Sequence, residues 1–103
     1  MSRGFGASCR KAAEDDKTIL YEYKVYNQAN ENWRDMLEMY DGIILIDKSI
    51  ENGEFKNFSI DNCSNAFSLS EEGVDLLAIR LVYHLYIKFK EQGEFPEVIN
   101  LNY

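Results

Sequence analysis

Residues 17–26 alternate: Ile19, Tyr21, Tyr23 and Val25 fall on one side of an extended chain, and Leu20, Glu22, Lys24 and Tyr26 on the other. A period of two predicts a half-buried β-strand. Residues 3–10 can extend in front of it, and the charged stretch 12–16 then closes a hairpin between the two. Gly4 and Gly6 in the first strand mark a bulge or a close backbone approach. Asn30 is placed to cap a short helix over 31–39, because Trp33, Met36, Leu37 and Tyr40 recur at spacings of three and four. Asp41-Gly42 breaks that pattern. The unbroken apolar run Ile43-Ile44-Leu45-Ile46 then predicts a central strand buried on both faces. Asn52-Gly53 has the composition of a tight hairpin turn, which makes 54–60 an antiparallel neighbour with Phe55 touching the core.

The clearest predicted element is a helix over 71–92, opening on Glu71 and closing on Gln92. Ser70 is its expected cap, Glu71, Glu72 and Asp75 suit the positive end of the dipole, and Lys88 and Lys90 suit the other. Gly93 and Pro96 stop it. Val74, Leu77, Ala78, Leu81 and Leu85 make one apolar stripe, and Ile79, Val82, Tyr83, Tyr86 and Phe89 a second. A helix apolar over so much of its circumference is either wrapped by its own domain or covered by a partner. The tail, 95–103, can add an edge strand. Together these elements predict a single α+β domain over 1–103, a small, mainly antiparallel sheet packed against one long C-terminal helix.

Composition narrows the class without naming a reaction. The chain has 103 residues, 46% hydrophobic and 14% aromatic, which suits one globular core and excludes a disordered acidic tail. No apolar run approaches the 18 or so residues that cross a bilayer, and residues 1–10 lack the apolar core of a signal peptide. The expected location is therefore the cytoplasm, with no membrane partner. Cys9 and Cys63 are expected as free thiols, and with the lone His84 they offer too few ligands for zinc, so neither metal nor cofactor is expected. Cys63 and His84 supply a nominal nucleophile and base by residue type alone, and turn chemistry and core packing explain both; no catalytic residue is assigned. Gly4-Phe5-Gly6 lacks the preceding strand, third glycine and following helix of a phosphate loop. Only Arg10, Lys11, Lys17 and Lys24 approach a basic groove, so nucleic acid is not the expected partner.

Charge changes the picture more. The formal net charge is −7, and residues 27–75 hold eleven acidic and three basic side chains, a local −8. Such a stretch either keeps the protein soluble or forms an acidic face that steers cationic proteins into encounter. In the second case Glu31, Asp35, Glu38, Asp41, Glu51 and Glu54 are the candidate contacts, with Trp33 and Tyr40 as aromatic anchors.

Arg3-Gly4-Phe5-Gly6, Leu20-Tyr21-Glu22-Tyr23, Tyr40-Asp41-Gly42, and Glu91-Gln92-Gly93 followed by Pro96 occur in an order that resembles small bacterial immunity proteins of polymorphic toxin systems. The resemblance implies a cytoplasmic, non-enzymatic protein that neutralises a cognate toxin, often a nuclease, with no catalytic residues to carry over. An acidic face suits such a partner, because carboxylates can occupy a basic groove in place of phosphates. The alternative is an assembly protein that homodimerises through the 71–92 helix, its acidity serving solubility alone.

Overall fold

The computed structural model describes residues 4–51, 54–55 and 57–102. The chain runs β1 (Phe5–Glu14), β2 (Thr18–Asn27), α1 (Trp33–Met36), β3 (Gly42–Asp47), β4 (Ile50–Glu51), β5 (Glu54–Phe55), β6 (Phe58–Asp61), α2 (Leu76–Gln92) and β7 (Val98–Asn102). Five strands form one open antiparallel sheet in the order β6-β3-β2-β1-β7, so the architecture is α+β, with α2 against one face. No helix is long and apolar enough to cross a membrane among the described residues.

The alternation in β2 translates directly into burial. Ile19, Tyr21, Tyr23 and Val25 are each fully buried and meet Leu77, Ala78, Leu81, Val82 and Leu85 of α2 in the core, with Ala7, Cys9, Ile44 and Ile46 beside them. Each such aliphatic side chain contributes about 1.5–3 kcal/mol by leaving water. β1 runs on to Glu14, with a bulge between Lys11 and Ala13, and the reversal falls at Asp15, whose Oδ1 accepts from the N–H groups of Lys17 and Thr18. The expected edge strand in the tail is β7, paired with β1.

Several expectations need correction. β2, and not the 43–46 run, lies at the centre of the sheet. Ile44 and Ile46 are buried, but Leu45 is 38% exposed, because the second face of the sheet is only partly covered. The 54–60 neighbour divides in two: Glu54–Phe55 pairs with Ile50–Glu51, and Phe58–Asp61 pairs with β3. The Asn52-Gly53 turn lies outside the described residues, as do the side chains of Phe55, Glu51 and Glu54. The 31–39 helix is a single turn at 33–36, entered through an Asn30 loop in which Asn30 Oδ1 accepts from Asn32 N–H.

Finally, α2 starts at Leu76 and not at Glu71. Ser70 caps a tight turn, its Oγ accepting from Val74 N–H, while Asp75 is the helix cap and accepts from Leu77 N–H at 2.9 Å. Leu69 and Asp75 form an antiparallel bridge, which holds 70–74 out of the helix. The far end behaves as expected: Gly93 takes φ 76°, a left-handed position that glycine alone adopts without strain, and returns its N–H to Phe89 O. Of the two apolar stripes, Leu77, Ala78, Leu81 and Leu85 of the first are buried together with Val82, Val74 of the first is half-buried and precedes the helix, and Ile79 and Tyr83 of the second face outward at 36% and 62% exposure.

Candidate functional site

The acidic segment lies across the outer face of β2, opposite α2. Strand alternation puts Arg10, Glu22, Lys24 and Tyr26 on that face, and Arg10 Nε pairs with Glu22 Oε1 at 3.1 Å. Lys24 Nζ donates to Leu37 O at 2.6 Å, fastening the end of the α1 turn to the sheet. Tyr40 sits under both cations, 4.0 Å from the Arg10 guanidinium carbon and 4.8 Å from Lys24 Nζ. Trp33 lies tilted over Tyr26, their ring centroids 6.3 Å apart, with the Arg34 guanidinium on its face at 5.4 Å. The two expected anchors are thus half-buried staples between the α1 segment and the sheet.

The carboxylates are disposed differently. Glu31, Asp35 and Glu38 are exposed, and among the described residues none of them has an ion-pair partner. Asp41 is exposed but engaged: Ser64 donates to it through its N–H at 3.2 Å and its Oγ at 2.5 Å, tying the start of β3 to the connection after β6. Glu31, Asp35, Glu38 and Asp41 share one short segment of the chain with Trp33 and Tyr40. Lysines at the hairpin end of the sheet do not neutralise them. Lys11 pairs with Glu14 and Glu97, and Lys48 with Glu14, whose carboxyl is held below its ordinary pKa by Lys48 first and Lys11 second.

Asp75 belongs to no surface. It is fully buried, and its Oδ2 accepts from Tyr23 Oη at 2.7 Å while Oδ1 caps α2. Tyr23 Oη accepts in turn from Cys63 N–H at 3.0 Å, and Asn62 Oδ1 accepts from Asp75 N–H at 3.0 Å. Gly42 makes room for this arrangement, since a Cβ there would overlap the Tyr23 ring. Every polar atom of the cluster that needs a partner has one, and the α2 N-terminus favours a negative group there. The sequence places Asp75 in the first turn of the helix, with Ser70 as the cap; its position directly before the apolar helical period was the signal that Asp75 itself is the cap.

The chemistry of this cluster is that of a structural joint. Burial pushes the Cys63 thiol above its ordinary pKa, with the Tyr23 hydrogen bond opposing it, so the thiolate needed for nucleophilic attack is disfavoured. His84 lies nine residues beyond Asp75 along α2, about 13 Å of helix rise, whereas Cys63 Sγ lies 3.9 Å from Asp75 Oδ2 at the start of that helix. No group of three or more metal-ligating side chains occurs among the described residues. The chain matches no known protein family, no characterised relative and no solved structure.

Proposed function

We propose that this chain is a cytoplasmic, non-enzymatic immunity-type protein that binds and neutralises a basic protein toxin, with a nuclease the partner whose phosphate-binding groove suits it best. The observation that supports this reading is the exposed trio Glu31, Asp35 and Glu38, free of ion-pair partners among the described residues and mounted on a turn that Lys24, Tyr40 and Trp33 pin to the sheet. Carboxylates held on a fixed backbone steer a cationic surface during encounter and then occupy the place of substrate phosphates. Asp41 takes part through its exposed edge, and Glu51 and Glu54 extend the acidic stretch in sequence.

The test pairs the chain with the basic toxin encoded beside it. Wild type is expected to protect cells and to associate rapidly at low salt. The triple reversal Glu31→Lys, Asp35→Lys, Glu38→Lys is expected to slow association at least about tenfold at low salt, with a shallower salt dependence. Absence of such a toxin, or a reversed chain that associates and protects like wild type, defeats the reading.

Homodimerisation through α2 is the second reading, favoured by one observation: Leu76, Ile79 and Tyr83 form an exposed apolar stripe at helical spacing. Sedimentation at micromolar concentration separates the two. A stable dimer lost on Ile79→Glu supports assembly, and a monomer dismisses it.

A further inference from the structure

The edge of the sheet at β7 carries an inference independent of the acidic face. Lys11 N–H donates to Glu97 O, and the β1–β7 register continues through Cys9–Ile99 and Ala7–Leu101. Antiparallel alternation therefore turns the N–H and C=O groups of residues 97, 99 and 101 toward β1, and those of Val98, Asn100 and Asn102 outward. Among the described residues no backbone group pairs with that outward row. The strand itself, Val-Ile-Asn-Leu-Asn, has none of the charges, prolines or bulges that normally blunt an edge.

Alongside this row, between β7 and α2, runs a groove of about 450 Å³. Its strand side is Val98, Ile99 and Leu101, and its helix wall is His84, Lys88 and Gln92, three residues at successive four-residue steps on one flank of α2. A strand laid against β7 would hydrogen-bond through alternate residues and direct the residues between them, on the α2 side, into the groove beside Ile99 and Leu101. Side chains reaching the helix wall would meet a lysine ammonium, an imidazole and a carboxamide, all able to donate. Among the described residues Lys88 is held only by Glu91, at 3.8 Å and on the surface.

We propose that the β7–α2 groove binds an extended segment of another protein by strand addition, with apolar residues over Ile99 and Leu101 and a carboxylate received by Lys88. Charge selects this occupant over a second copy of the chain. Twofold pairing about Asn100 would set the α2 flanks of the copies face to face, Lys88 toward Lys88, so the groove's cation would meet a like charge. Residues 76–103, by contrast, hold three basic and three acidic side chains, so an acidic segment meets no net repulsion there.

The probe is a display library of random decapeptides selected against the whole chain, followed by the enriched peptides made synthetically. Enriched peptides are expected to alternate apolar residues and to carry Asp or Glu at one fixed position. Their binding should slow amide exchange at Val98, Asn100 and Asn102 at least about tenfold. Lys88→Glu should weaken them about tenfold, the loss of one charge-assisted contact, while Glu31→Lys changes nothing. Asn100→Pro deletes an outward N–H and, apart from the bond that Ser8 Oγ donates to Asn100 Oδ1, leaves the pairing with β1 in place, so it should abolish binding in a chain whose circular dichroism is unchanged. Selection of no alternating acidic peptides overturns the proposal. So does binding that neither protects the β7 amides nor responds to Lys88→Glu, and so does a concentration-dependent dimer that Asn100→Pro dissolves.

Discussion

Asp75 shows how one buried carboxylate can hold three elements together. It caps α2, receives the β2 tyrosine Tyr23, and reaches through that hydroxyl to Cys63 at the start of the connection after β6. Asp75→Ala removes the cap and leaves the Tyr23 hydroxyl and the Leu77 N–H in the core with lost partners, so a loss of about 3 kcal/mol is expected in urea unfolding. Tyr23→Phe is milder, about 1–2 kcal/mol, because the cap survives. The same burial sets a pH signature. Desolvation raises Cys9 from 9.0 to about 12, and raises Tyr21, Tyr23 and Cys63 as well, Tyr23 with a further push from Asp75. Above about pH 9 the unfolded chain releases protons that the folded chain keeps, so stability falls as pH rises, by about 1.4 kcal/mol per pH unit for each group in its window. Unfolding midpoints measured from pH 7 to 11 should stay level on account of these groups up to about 9 and then decline, and Cys9→Ala should make the decline shallower.

Among the elements, α1 and α2 differ in what holds them. α2 buries a full stripe, and Leu81→Ala, at a fully buried position, is expected to cost about 2–5 kcal/mol in global stability. α1 is a single turn, too short to persist alone, and depends on Lys24, Tyr40 and Trp33. Lys24→Met should therefore raise amide exchange across 33–39 while changing the global unfolding free energy by less than about 1 kcal/mol. Equal exchange in that variant would mean that the turn is held by something other than the Leu37 carbonyl contact. Because this turn carries Asp35, with Glu31 and Glu38 on its flanks, loosening it should also weaken any partner that reads their fixed arrangement.

For the whole molecule, the sheet separates two surfaces of different character. The acidic segment rides on the outer face, and the β7–α2 groove opens along the edge on the α2 side. A partner steered by charge should respond to ionic strength through Glu31, Asp35 and Glu38, and a strand added at β7 should be nearly indifferent to those three residues. Measuring association of the proposed toxin partner and peptide binding in the same triple-reversed chain checks this: the first rate should fall and the second affinity should hold. Mutual blocking of the two ligands would show that the faces are coupled through the sheet.

The local pattern of residues determined which segments extend, which side of β2 enters the core, and where α2 stops, because periods of two and of 3.6 and a left-handed glycine are properties of neighbours in the chain. It also marked 31–41 as acidic. Tertiary structure alone decided that Asp75 receives the Tyr23 hydroxyl in the core, that Tyr40 and Trp33 face the protein's own cations and rings, and that β2 and not 43–46 is central. Each of these depends on partners far away in sequence: Tyr23 is 52 residues from Asp75, and Tyr40 meets Arg10 across two strands. Desolvation favours whichever distant group can satisfy a buried hydroxyl or carboxylate, and no spacing along the chain encodes that distance.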